Sequence, residues 1–124
     1  MKKVKFYKCD KCERIKCVIN DKEDDLECCG NKMIELEPNT VDAATEKHIP
    51  VYEVNGTTVN VKVGEELHPM TKEHYISFVA YLTSDRVQFV KFYPEGNAET
   101  RLNFCGSGIL YIYCNKHGLM KQKI

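Results

Sequence analysis

The sequence predicts an all-β protein, an antiparallel β-sandwich preceded by a small cysteine-rich metal-binding module. Three observations carry that expectation. Thr57-Thr58-Val59-Asn60-Val61-Lys62-Val63 alternates with the period of a half-buried strand, Thr57, Val59, Val61 and Val63 sharing one face. Further short segments rich in β-branched and aromatic residues follow, with turn signals between them and no convincing amphipathic helix. Five of the seven cysteines fall within residues 9–29, whereas all four histidines fall at 48 or beyond.

That asymmetry divides the chain into residues 1–37 and 38–124, with turn-forming residues at Glu37-Pro38-Asn39-Thr40 marking the boundary. The first module is too short for a core of its own and is expected to need a metal to fold. Its acidic run, Glu23, Asp24 and Asp25, reads as a solvated turn. In the second module Tyr52-Glu53-Val54 leads into Asn55-Gly56, a hairpin signal ahead of the alternating strand. Ile76, Phe78, Ala80 and Leu82 alternate again, and Arg86 to Tyr93 and Ile109 to Tyr113 have strand composition.

Eighteen basic and eighteen acidic residues balance, which argues against nucleic acid as a partner. No run approaches the roughly 20 apolar residues of a membrane helix. Met-Lys-Lys-Val-Lys at the N-terminus turns polar and cysteine-bearing without the apolar stretch of a secretory signal, so a cytoplasmic location is expected. In a reducing compartment, clustered cysteines point to metal or redox chemistry rather than disulfides.

Cys9-Asp10-Lys11-Cys12 and the adjacent pair Cys28-Cys29 supply two arms of a four-sulfur cage. Tetrahedral sulfur suits zinc or iron, and the spacing does not choose between them. Neighbouring ligands in Cys28-Cys29 depart from the repeated Cys-x-x-Cys of zinc ribbons and force a distorted tetrahedron. Cys17 and Cys105 lack evident partners and read as buried small apolar side chains.

The histidines occur beside turn or stiffening residues: Glu46-Lys47-His48-Ile49-Pro50, His68-Pro69-Met70, Glu73-His74-Tyr75 and Cys114-Asn115-Lys116-His117-Gly118. Pro69 restricts His68 to extended conformations and helps fix its direction. A lone histidine is usually a surface or packing residue, but four in such settings, one of them in a Cys-x-x-His unit, point to a shared site. Four imidazoles and the Cys114 thiolate exceed the four ligands of structural zinc. Iron accommodates a square of histidine nitrogens with an axial thiolate and leaves a sixth position open to a small oxygen species.

The stretch from Pro38 to His48, Pro-Asn-Thr-Val-Asp-Ala-Ala-Thr-Glu-Lys-His, closely resembles the signature of the desulfoferrodoxins, two-iron superoxide reductases. His68-Pro69-Met70, Glu73-His74-Tyr75 and Tyr113-Cys114-Asn115-Lys116-His117-Gly118 are similar to that family's other ligand motifs, and the cysteine arms to its desulforedoxin-like module. The resemblance implies one iron on Cys9, Cys12, Cys28 and Cys29, and a catalytic iron on His48, His68, His74 and His117 with Cys114 axial. It also implies an immunoglobulin-like sandwich, a homodimer, and rubredoxin or a similar small carrier as electron donor.

The implied reaction takes superoxide, one electron and two protons to hydrogen peroxide. Lys47 is expected to attract the anion and organise water for proton delivery, and Glu46 to close the sixth position after turnover. One departure stands out: Glu13 follows the second cysteine, where the family usually has glycine.

Two rival readings remain at this point. Cys114-x-x-His117-x-x-Met120 resembles the ligand loop of a blue-copper electron carrier, which would leave two histidines unused. A zinc-ribbon interaction module would explain the N-terminal cysteines but not the histidines.

Overall fold

The computed structural model describes residues 4–19, 26–38, 50–63 and 69–124. Two compact units emerge, Met1–Glu37 and Pro38–Ile124. All regular structure among the described residues is β, and no helix is long and apolar enough to cross a membrane.

The first unit contains β1 (Lys5–Lys8), β2 (Ile15–Val18), β3 (Glu27–Cys28), β4 (Asn31–Lys32) and β5 (Ile34–Glu35). β1 pairs antiparallel with both β2 and β5, and β3 pairs with β4 in a two-residue hairpin. Its buried apolar side chains among the described residues are Val4, Phe6, Cys9 and Met33. So small a core offsets little of the entropy lost on ordering the chain. Cys17 is exposed, which corrects the expectation that it is a buried apolar side chain.

The second unit is an immunoglobulin-like β-sandwich. It comprises β6 (Pro50–Asn55), β7 (Thr58–Val63), β8 (Ile76–Leu82), β9 (Val87–Lys91), β10 (Glu99–Asn103), β11 (Ile109–Cys114) and β12 (Gly118–Lys123). One sheet runs β10-β7-β6 and the other β12-β11-β8-β9, with every pairing antiparallel. The chain crosses between sheets from β7 to β8, from β9 to β10 and from β10 to β11, as Greek-key sandwiches do.

The alternation in β7 delivers Val59, Val61 and Val63 to the core, where they meet Ile76, Val79, Tyr81, Leu110, Ile112 and Met120. The β6–β7 turn centres on Gly56 and Thr57, one residue later than an Asn-Gly turn, because Asn55 still pairs with Thr58. Gly56 has φ +63°, the left-handed conformation open to glycine, and Thr58 Oγ1 donates to Asn55 O at 3.1 Å.

β8 departs from its alternating pattern. Tyr113 pairs with Phe78 but Cys114 pairs with Ile76, so Ser77 is an extra residue against β11. This β-bulge turns Ile76 into the core with Val79 and Tyr81, while Phe78 lies on the opposite face, stacked between Phe89 and Tyr113. Towards β9 the ladder continues, Phe92 N–H donating to Ser77 O at 2.8 Å. At the far end Tyr81 donates its hydroxyl proton to Gly106 O and accepts from Cys105 N–H at 3.1 Å. Cys105 is half-buried there against the core. Gly108 has no room for a side chain, since a Cβ would stand 1.9 Å from Leu82 O.

Candidate metal centres

The four cysteines of the first unit are gathered by two turns. After β1, Cys9 N–H donates to Arg14 O at 2.9 Å and Glu13 N–H to Cys9 O at 3.0 Å, closing a loop that brings Cys12 beside Cys9. Glu13 closes it with φ +63°, the left-handed conformation that glycine adopts without cost. In the second turn Cys28 pairs with Asn31, leaving Cys29 (φ +53°) and Gly30 (φ +75°) as the two central residues. Two consecutive positive φ angles define a type I′ turn. In an extended strand neighbouring side chains point apart; the left-handed Cys29 reverses that and aims both sulfurs at one place.

The Sγ atoms of Cys12 and Cys28 are 3.5 Å apart, and those of Cys28 and Cys29 3.9 Å. All four sulfurs lie within 4.8 Å of one another. A tetrahedron with metal–sulfur bonds of about 2.3 Å has edges of roughly 3.8 Å, so the donor set fits one ion. Cys9 is buried while Cys12 and Cys29 are exposed, so the cluster is open on one side.

Its electrostatics are those of a site awaiting a cation. Hydrogen bonds from the amides of Cys12 and Lys11 lower the Cys9 thiol to about 6. Hydrogen bonds with the Cys12, Cys28 and Cys9 sulfurs push Cys29 up to about 12, and Cys12 and Cys9 raise Cys28 likewise. Four sulfurs this close cannot all carry negative charge by themselves; a bound metal ion removes the conflict and displaces the protons.

The second cluster lies in the sandwich unit. His74, Cys114 and His117 bring one donor atom each within 4.8 Å of the others. Cys114 ends β11, on the face that carries Leu110 and Ile112 into the core, and is wholly buried. His117 ends the three-residue loop that joins β11 to β12, before Gly118 at φ +88°. Cys114 Sγ and His117 Nδ1 are 3.5 Å apart, and the His74 and His117 rings meet edge to face with centroids 4.9 Å apart. Donors adjacent on a metal with bonds of about 2.1–2.3 Å stand roughly 3 Å apart and opposed donors about 4.4 Å, close to this spacing.

Burial, and then the electrostatic influence of His117 and Lys116, lower the His74 imidazole, favouring the neutral form that binds metals. Burial raises the Cys114 thiol, opposed by hydrogen bonds from the amides of Lys116 and His117. A cation would convert that buried thiol to a thiolate already supplied with two amide donors.

Of the residues expected at this centre, the structure brings together His74, Cys114 and His117. His48, His68, Glu46 and Lys47 lie outside the described residues. Met120 packs in the same core cluster as Cys114. Sequence reasoning passed over two residues that hold the loop around His74. Thr71 and His74 bond main chain to main chain in both directions, at 3.0 and 3.3 Å. The Asn115 side chain bonds to the main chain of Glu73 and of Tyr75. The signal for Asn115 was its place between Cys114 and His117.

The family model Desulfoferrodoxin matches residues 40–123. A desulfoferrodoxin from Syntrophotalea carbinolica is 37% identical over 98% of this chain and 97% of its own length. Another, from Clostridium acetobutylicum, is 39% identical over 81% of this chain and 80% of its own. The crystal structure of the superoxide reductase from Treponema pallidum superposes with a TM-score of 0.77 at 32% identity, covering 97% of this chain and 98% of that one.

Proposed function

The chain belongs to the desulfoferrodoxin family, and from that premise we propose that it is a superoxide reductase, reducing superoxide by one electron to hydrogen peroxide. The observation that carries the reading is the likeness to the Treponema pallidum superoxide reductase along almost the entire chain. The four-sulfur set and the His/Cys set are both consistent with iron.

In this reading residues 1–37 form a desulforedoxin-like module whose Cys9, Cys12, Cys28 and Cys29 hold one iron. Residues 38–124 form the catalytic domain, in which His48 and His68 join His74, His117 and Cys114 around a second. Iron there supplies the electron that superoxide takes up. Cys114 presents its sulfur from the apolar interior, where water does not compete for it, and the Lys116 and His117 amides temper its charge. The Lys47 ammonium would attract the anion and order water for protonation, and the Glu46 carboxylate would supply a further oxygen ligand to the iron after turnover. Rubredoxin or a similar small carrier returns the electron, and the protein works as a cytoplasmic homodimer.

The test is metal content and the visible spectrum of protein purified without added metal, before and after superoxide is added. About two irons per chain, with a ferrous site that superoxide oxidises with release of peroxide, is the expected result. The Lys47→Ala variant is expected to slow superoxide reduction in pulse radiolysis and keep its iron; rates equal to wild type would remove that role.

One observation favours a second reading. Two imidazoles, a thiolate and Met120 in the adjoining core are also the components of a blue-copper site. Bound copper with intense blue absorbance would select an electron carrier instead.

A further inference from the structure

Every main-chain polar group from Glu73 O to Tyr75 O has a named partner, and Asn115 or Thr71 supplies each one. Asn115 Nδ2 donates to Glu73 O at 2.9 Å, and Tyr75 N–H donates to Asn115 Oδ1 at 2.9 Å. The Asn115 main-chain N–H donates to Tyr75 O at 3.2 Å. Between those bonds, His74 N–H donates to Thr71 O at 3.3 Å and to Thr71 Oγ1 at 3.1 Å, and His74 O accepts from Thr71 N–H at 3.0 Å.

The Asn115 amide thus grips the peptide groups on either side of His74, in the manner of a neighbouring strand. The partners fix its orientation, because a carbonyl takes only the NH2 and an N–H only the oxygen. The chain around Asn115 carries the other two donors, Cys114 on one side and His117 two residues on.

We propose that Asn115 is the positioning residue of the His/Cys centre: its amide locks the segment carrying His74 to the hairpin carrying Cys114 and His117, and so sets the spacing of the three donors. This inference rests on the reading of that cluster as an iron site. The argument is geometric. His74 reaches the cluster from a bend outside any strand, whereas Cys114 is fixed by the β11 ladder. The β8–β11 ladder ends at Ile76 and the Asn115 main-chain N–H holds Tyr75 O, so the Asn115 side chain is what ties the peptide groups on either side of His74 to the β11–β12 loop. Hydrogen bonds made directly to a ligand side chain are worth about 10–100-fold in metal affinity, and a tie through the peptide groups beside the ligand is expected at the lower end of that range.

A control is built into the same sandwich. Gln88 makes a similar two-bond grip on β10, donating to Asn103 O at 2.8 Å and accepting from Asn103 N–H at 3.0 Å, with Cys105 Sγ a further 3.7 Å contact, and neither donor cluster draws on that segment. Removing Gln88 therefore costs a comparable pair of hydrogen bonds without touching the centre.

The experiment follows iron loss from the as-isolated holoprotein to a chelator, with Mössbauer spectroscopy separating the two iron environments. Asn115→Ala is expected to speed loss from the His/Cys site by about 10-fold and to alter that site's spectrum, leaving the four-cysteine iron at its wild-type rate. Asn115→Asp keeps the acceptor for Tyr75 N–H but loses the donor to Glu73 O, and should fall between the two; it also serves if Asn115→Ala does not fold. Gln88→Ala should melt lower than wild type yet release both irons at wild-type rates. Wild-type release from the His/Cys site in both Asn115 variants, or equal acceleration in Gln88→Ala, overturns the positioning role alone. Wild-type protein with no iron at the His/Cys site overturns the functional reading and this inference with it.

Discussion

In the first unit all four cysteines of the sulfur set sit at or beside turns, and Cys9 itself is buried with Val4, Phe6 and Met33 among the described residues. In the sandwich Cys114 is the last inward residue of a strand whose Leu110 and Ile112 are wholly buried, and the core would persist without it. Each arm of the first cluster is local, Cys9 with Cys12 and Cys28 with Cys29, and the two arms lie at least 16 positions apart. The second joins residues about forty positions apart, held by sheet register and side-chain amides. On the reading proposed above, the first unit is expected to depend on a metal for its fold, and the second to have its fold in place before a metal is fitted.

Metal removal tests that contrast most severely. Ligand-dependent folding of small thiolate sites is worth on the order of 10 kcal/mol, so stripping the metal should release the amides of β1 and β2 to near-unprotected hydrogen exchange while β8 and β11 keep theirs. Protection surviving in both units would break the comparison.

The reverse perturbation is smaller. Ile112 is wholly buried, and Ile112→Ala should cost the sandwich about 2–5 kcal/mol in denaturant unfolding. Four-cysteine metal content should stay at wild type; its loss alongside would mean that the units fold as one.

Smaller again is the effect expected at Glu13, held at φ +63°. Glu13→Gly relieves a left-handed conformation costing about 1–2 kcal/mol but adds unfolded-chain entropy worth about 0.5–1 kcal/mol. A net gain of at most about 1.5 kcal/mol should follow, read as slower metal release from the four-cysteine site; faster release would show that the side chain itself supports the loop.

The least effect is expected at Asp85, whose carboxyl is held below its ordinary value by hydrogen bonds from Arg86 and Thr83. Because the folded value is the lower one, this contribution is complete above the ordinary carboxylate value of 3.8 and fades as pH falls through the folded one. Asp85→Asn should therefore slightly flatten the acid limb of the stability profile, with no change in metal content at neutral pH. An unaltered acid limb would leave Asp85 without that part.

The strands that were legible in the sequence are those with a patterned apolar face. β7 alternates, and β9 and β11 have β-branched and aromatic composition. β10 was not legible, because Leu102 is its one wholly inward apolar residue among exposed Glu99, Arg101 and Asn103. β12 was not either, since Leu119 and Met120 are buried in succession before a polar tail. The short strands of the first unit bury too little to leave a pattern. At the metal sites, cysteine spacing and the Cys-x-x-His unit exposed the donors. Asn115 stayed hidden because its side-chain partners are main-chain groups of residues 40 and 42 positions earlier, which no side-chain pattern marks.

The bulge at Ser77 was equally invisible, since Ile76 and Phe78 look like one face until the pairing with β11 is known. Its consequence concerns which length changes the chain can absorb. Ser77 works as a parity switch: upstream of it, Ile76 and the segment leading back to His74 follow one count, and the rest of β8 follows the other. Deleting Ser77 would leave β8 a regular strand with Ile76 still opposite Cys114 and still inward, so the segment leading back to His74 would keep its place. A deletion in the Gly56–Thr57 turn has no spare residue to draw on, so it slips β6 by one position against β7 and reverses its faces. The same edit is thus absorbed at the bulge and forces a repacking at the hairpin, even though each removes a single residue.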